Sequence, residues 1–288
     1  MELLTLWSAA ALALALPVMV SAARADWKQR EIPDRHWAGL GLGGVLLFLL
    51  YACAAGGFRW EYLAGAMIAV LCLAAVLVDS NAVGGTAAVL ILALLALLLL
   101  DGRRDACFWA YLAIPVLTVV YVTFYLTGLV RGGGDAKCLI ALTLVFPLYP
   151  AFGPLPLLTA PALVEGIFVF SLSVLFTAAL GTVLFCLANG WRNRNAPESW
   201  FRRLTGRRLP LEEAERAFVW PVEDVRNGQI VPVGACGDDE LPAVYQRLRA
   251  AGAETVYVTP MIPFVVPLAI AVPFVALVGS PLFLLTLL

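Results

Sequence analysis

Three consecutive glycines stand directly before an aspartate in Arg131-Gly132-Gly133-Gly134-Asp135-Ala136-Lys137, where one apolar run ends and the next begins. Backbone without side chains can adopt φ > 0 and lets another chain come close, so this stretch predicts an open slot beside the Asp135 carboxylate. The plainer alternative is a flexible turn whose aspartate caps the next helix. A second acidic stretch, Asp26-Trp27-Lys28-Gln29-Arg30-Glu31-Ile32-Pro33-Asp34-Arg35-His36, follows the first apolar run. Two carboxylates brought close cannot both ionise cheaply, so they share a proton and their titrations split. Such a pair supplies the acid and the base that a water-activating hydrolytic site requires.

The elements that must hold these groups are membrane helices. The chain has 288 residues, 62% of them hydrophobic and 14% charged, far from the balance of an ordinary soluble domain. A helix of roughly 20 apolar residues spans a hydrocarbon core of about 30 Å. Runs of that kind predict spans near 3–23, 37–57, 61–79, 83–100, 108–130, 137–151, 160–188 and 260–287. The first run lacks the basic start of a signal peptide and is read as a membrane helix. The expected fold class is an all-α polytopic membrane protein of about eight transmembrane helices, with a small cytoplasmic α/β domain before the last. The expected organisation is a transmembrane domain over 1–188, a cytoplasmic domain over 189–259 and a C-terminal transmembrane helix over 260–288.

Orientation follows from basic residues in short loops. With Arg24, Lys28, Arg30 and Arg35 in the cytoplasm, alternation carries Arg131, Lys137 and the 189–259 segment to the same side, leaving Arg59, Arg103 and Arg104 outside. A multi-pass protein of the cell membrane with its soluble domain in the cytoplasm is therefore expected. Four helices separate Asp26 from Asp135; an even number returns both to one membrane face, where they can meet.

The 189–259 segment opens with Arg192, Arg194, Arg202, Arg203, Arg207 and Arg208 interleaved with Trp191, Trp200 and Phe201. Such a stretch suits an anionic membrane surface, either as a positive-inside anchor or as a docking place for substrate. Beyond it, 218–220, 229–233 and 255–258 predict short strands and 239–251 a helix. A domain this small is near the lower limit for independent folding.

Composition also excludes chemistry. The six cysteines (Cys53, Cys72, Cys107, Cys138, Cys186, Cys236) form no CxxC pair, so neither a disulfide framework nor a zinc site is indicated. His36 is the only histidine, which rules out multi-histidine metal sites and leaves a Ser-His-Asp site no other residue to use. No metal and no cofactor is expected. A net charge of -1 gives no reason to expect nucleic acid as a partner. Among the other acids, Glu165 fits the dipole at a helix start and Asp79 fits a helix cap, with Asp79 the third-choice acid. Asp34 and His36 are expected to orient their loop. Lys137 could tune Asp135, grip substrate backbone or anchor the helix.

These features together resemble a known family. Gly132-Gly133-Gly134-Asp135 matches the Gly-x-Gly-Asp motif of the prepilin peptidases, and Asp26 with Arg30-Glu31-Ile32-Pro33-Asp34 is similar to that family's other aspartate segment. Lys137 stands two residues after Asp135, as in many members. The segment Val256-Tyr257-Val258-Thr259-Pro260-Met261-Ile262-Pro263-Phe264 resembles the lead into the last helix of archaeal preflagellin peptidases. The resemblance implies a membrane aspartyl endopeptidase that removes the short basic leader from preflagellins or pilin-like precursors at the cytoplasmic face. It implies Asp26 and Asp135 as the catalytic pair, with Gly132, Gly133, Gly134 and Lys137 in binding or catalytic support. Its partners would be those precursors and membrane lipid. The chain departs from the shorter archaeal pattern by about two extra spans between the aspartates, and without paired cysteines no methyltransferase activity is expected.

Two other readings compete. Pro161-Ala162-Leu163 matches a motif of presenilins and signal peptide peptidases, which share Gly-x-Gly-Asp, although three such residues recur by chance in apolar chains. An ion-coupled transporter would use membrane aspartates as proton relays, but carriers place them near the midplane on broken, repeated helices.

Overall fold

A computed structural model describes residues 2–100, 104–130, 132–159, 169–195, 199–234 and 240–287. The chain is mostly helical, with a small sheet region, and six of its described helices are long and apolar enough to cross a membrane. It divides into two compact units, 1–179 with 263–288, and 180–262.

The first unit is a helical bundle. Its long helices are α1 (Glu2–Gln29), α2 (Arg35–Gly56), α3 (Trp60–Leu77), α4 (Asn81–Leu100) and α5 (Ala106–Leu126). A shorter α6 (Gly133–Val145) follows, then the start of α7 (Phe170–Arg192). Ala136 and every residue from Cys138 to Val145 on α6 are buried, so this helix is the centre of the bundle. It packs most closely on α2, and the reason is local: a Cβ on Gly44 would stand 2.7 Å from the Val145 Cα. Small residues let helix backbones approach where lipid supplies no hydrophobic drive for association. Hydroxyls add interhelical bonds: Ser171 Oγ lies 2.7 Å from Tyr121 Oη and 2.8 Å from Thr143 Oγ1, joining α5, α6 and α7.

α4 lies at the edge of this unit, packed against α3 and presenting Val89, Leu92 and Leu100 outward. That apolar surface is what a helix facing lipid requires. Between α2 and α3, the Arg59 guanidinium binds Glu61 and Asp105, each at 2.7 Å, and Tyr62 donates to Asp105. Asp105 caps α5 by accepting the Phe108 N–H at 2.8 Å. Burial pushes the Asp105 carboxyl up, but the bonds from Tyr62 and Phe108 and the charge of Arg59 outweigh it and hold Asp105 below the usual carboxylate range.

Several expected boundaries move. The span expected at 137–151 is a helix that starts at Gly133 and ends at Val145. Pro147 disfavours α geometry at Phe146, which leaves the helix at φ -123°. The expected last span at 260–287 is not one helix. It is α11 (Val265–Leu277), a break at Gly279 (φ 99°), and a 3-10 turn over Pro281–Leu287. A Cβ on Gly279 would run into the Leu158 carbonyl, while Leu157 and Leu158 donate their N–H groups to the carbonyls of Leu277 and Val278. The span expected at 160–188 is described from 169 onward, with α7 beginning at Phe170; Pro161-Ala162-Leu163 and Glu165 lie outside the described residues. Asp79 is exposed and does not cap α4: Ser80 Oγ accepts the Val83 N–H instead, at 3.5 Å.

The second unit begins with the end of α7. Asn189 and Asn193 donate to carbonyls of Arg203, Leu204 and Gly206, and Gly190 leaves space for Leu204, so the short α8 (Trp200–Thr205) is held against α7. A three-stranded antiparallel sheet has the order β1 (Arg207–Pro210), β5 (Thr255–Pro260), β2 (Val219–Pro221). β3 (Glu223–Arg226) and β4 (Gln229–Pro232) form a hairpin closed by Asn227 and Gly228, both at positive φ, the signature of a two-residue turn. The helices α9 (Leu211–Arg216) and α10 (Leu241–Ala250) cover a core of Leu209, Ala214, Val244, Leu248, Val256 and Val258. β1, β3, α8 and α9 were not expected from the sequence. Asp224 binds Arg247 through both carboxylate oxygens, at 2.9 and 2.8 Å, and this pairing holds its carboxyl below the usual range.

Candidate active site

Asp26, expected at a helix end just after the first apolar run, stands in the last turn of α1, buried at 8% exposure. Residues 24–29 contain no helix breaker, so the helix continues past the apolar run until Arg30 closes it in the left-handed region (φ 58°), its N–H bonding the Asp26 carbonyl at 3.1 Å. A side chain at that φ is uncommon outside glycine, and here it is a half-buried arginine. Asp26 Oδ2 accepts the backbone N–H of Val265, the first residue of α11, at 3.1 Å.

Asp135 is the third residue of α6, where the helix dipole favours a carboxylate. The glycines before it act differently from the expectation of positive φ. Gly132 is extended (φ -89°, ψ 124°) and caps the helix, while Gly133 and Gly134 form its first turn. Their value is space. The Asp135 carboxylate folds back over Gly132, so that a Cβ there would collide with Asp135 Oδ2. Gly134 faces Ile32 and Gly133 faces Tyr125, each at 3.7 Å from an added Cβ, an ordinary contact distance.

The tertiary fold brings these two segments together. The buried Cys138 thiol, one helical turn below Asp135, contacts Met19 Sδ of α1 at 3.7 Å. Lys137 binds both oxygens of Asp34, at 2.7 and 2.8 Å, pinning the loop between α1 and α2 to α6. His36 bridges the Pro33 carbonyl at 3.0 Å and Ser21 Oγ at 3.1 Å, which steadies the same loop. Thus Asp26, Asp135, Gly132, Gly133, Gly134 and Lys137 gather at one end of the bundle.

Chemically, one carboxylate with a fixed backbone donor stands at the end of α1 and a second at the start of α6, in segments the fold joins. Two carboxylates held within reach of one water can share a proton, one taking it from water while the other gives one to a carbonyl oxygen. Among the described residues no three His, Cys, Asp or Glu side chains gather as metal ligands. Two surface hollows, one lined by Pro210, Glu212, Glu213 and Arg216 and one by Leu71, Thr86, Ala87 and Leu90, include none of the site residues.

Sequence reasoning missed Val265, Ile32 and Tyr125 as neighbours and Arg30 as the left-handed closure. Val265 acts through its backbone, so its side chain carries no signal. Comparison with family models, with curated proteins and with solved structures finds no match for this chain.

Proposed function

We propose that this protein is a membrane aspartyl endopeptidase that removes short basic leaders from preflagellins or pilin-like precursors at the cytoplasmic membrane face. The observation that carries the reading is that the fold brings the segments bearing Asp26 and Asp135, far apart in the chain, to one end of the bundle: Lys137 beside Asp135 binds Asp34 in the loop after Asp26, and Cys138 meets Met19 of α1. In this mechanism a water between the carboxylates loses a proton to one of them and attacks the scissile carbonyl carbon, while the other protonates the carbonyl oxygen. Collapse of the tetrahedral intermediate breaks the C–N bond, and a proton passes to the leaving amine. No metal enters any step.

The reading takes α6 and α11 as further membrane helices beside the six long ones, giving eight, with 180–262 in the cytoplasm. The excess of Arg and Lys in the loops assigned to that side supports the orientation. The test is incubation of the purified full chain in lipid with a panel of pilin-like precursors, followed by mapping of the new N-termini. A new N-terminus just before the hydrophobic helix of a precursor supports the reading; intact precursors throughout the panel reject it.

A further inference from the structure

Asp135 and Lys137 are two residues apart, so their side chains leave α6 about 200° apart around its axis. α6 meets α1 just below Asp135, where the Cys138 thiol contacts Met19 Sδ at 3.7 Å, and meets the start of α2 where Lys137 binds Asp34. One turn of helix thereby holds both ends of the 30–34 loop. Between these anchors the loop touches α6 through Ile32 over Gly134, and its far side is tied by His36 to Pro33 and Ser21.

The ion pair is partly exposed, 25% for Lys137 and 47% for Asp34, and pairs of that kind add little to stability. Its geometry is nonetheless specific: both Asp34 oxygens bind one ammonium, which comes from a residue 103 positions away in sequence. We infer that Lys137 and Asp34 are positioning residues: their ion pair sets the approach of Asp26 to Asp135 by fixing the α1–α2 loop to α6. The inference rests on the peptidase reading for its catalytic consequence, though the positioning itself does not.

The experiment uses the full chain in lipid nanodiscs with Lys137→Met, Asp34→Asn, Lys137→Arg and the exchange Asp34→Lys with Lys137→Asp. Misplacing a reacting pair lowers turnover more than binding, so Lys137→Met and Asp34→Asn should each lower kcat about tenfold or more with KM within about twofold. Lys137→Arg and the exchanged pair should recover most of the loss. A second readout needs no activity: Ile32→Cys with Gly134→Cys, on a cysteine-free background, joined by a short bifunctional thiosulfonate. Its rate should fall several-fold when Lys137→Met or Asp34→Asn is added, and return in the exchange.

Loss of kcat in Lys137→Met with Asp34→Asn near wild type would overturn the inference, because Lys137 would then act on substrate itself. An unchanged cross-linking rate would overturn it as well. Should the wild-type chain cleave no precursor, the peptidase reading fails, and the cross-linking arm alone decides the positioning.

Discussion

The Asp26 carboxylate, at the end of the first helix, accepts the backbone N–H of Val265, at the start of the last, at 3.1 Å. A hydrogen bond to a charged group contributes about 1.5–3 kcal/mol, so this donor orients Asp26 strongly. Replacing Val265 by its α-hydroxy acid removes the N–H and keeps the side chain. We expect kcat to fall roughly tenfold to a hundredfold with the protein still folded, measured by precursor cleavage and by thermal unfolding. Unchanged cleavage would show that the bond has no part in the reaction.

Asp26→Asn and Asp135→Asn should each abolish cleavage, with losses of about a thousandfold or more, because an amide can neither take nor give the proton. The double variant should be scarcely worse than either single one, since the two groups act as a unit. Asp79→Asn should keep substantial activity: Asp79 is exposed, and Ser80 makes the cap. A dead Asp79→Asn beside an active Asp26→Asn would overturn the assignment. Glu165→Gln should also retain activity.

The three glycines should differ in tolerance. Gly132→Ala forces the Asp135 carboxylate aside and should cost about a hundredfold in kcat. Gly133→Ala and Gly134→Ala meet only ordinary contacts and should stay within a few-fold of wild type, with helix propensity favouring alanine by up to about 1 kcal/mol. Equal loss at all three positions would mean that substrate, not Asp135, occupies the space.

Single cysteine probes at Gln29 and Gln229, both exposed in the fold, should resist a membrane-impermeant label in intact cells and react after permeabilisation, on a cysteine-free background. Ready labelling of either from outside would reverse the proposed orientation.

The Asp224–Arg247 pair links β3 to α10 and holds the Asp224 carboxyl below its ordinary value. For a depressed carboxylate, the stabilisation is complete above the unfolded pKa of about 3.9 and is lost as pH falls through the lower folded value. Asp224→Asn should therefore destabilise the 180–262 unit by up to about 1 kcal/mol near neutral pH and by less as pH falls below about 4. Hydrogen exchange at Val225 and Ile230 across that range measures it; a gap that widens in acid contradicts the pairing.

Apolar runs were legible because lipid imposes length and composition on any helix that crosses it, and six long helices stand where those runs lie. The amphipathic pattern of Leu241–Ala250 was legible for a similar reason of periodicity. The glycines and the two aspartates stood out as residue types, and counting helices between them put both at one end of the bundle. Tertiary packing decided the rest. Gly44 admits Val145, which makes α6 the buried centre, and no local pattern on either helix announces that fit. Lys137 turns to Asp34 rather than Asp135, and Val265 gives Asp26 its donor, because both contacts join segments distant in sequence. Arg30 takes a left-handed φ that its side chain gives no cause to expect. Periodicity records what a segment faces, solvent, lipid or protein; only the assembled helices record which atoms they face.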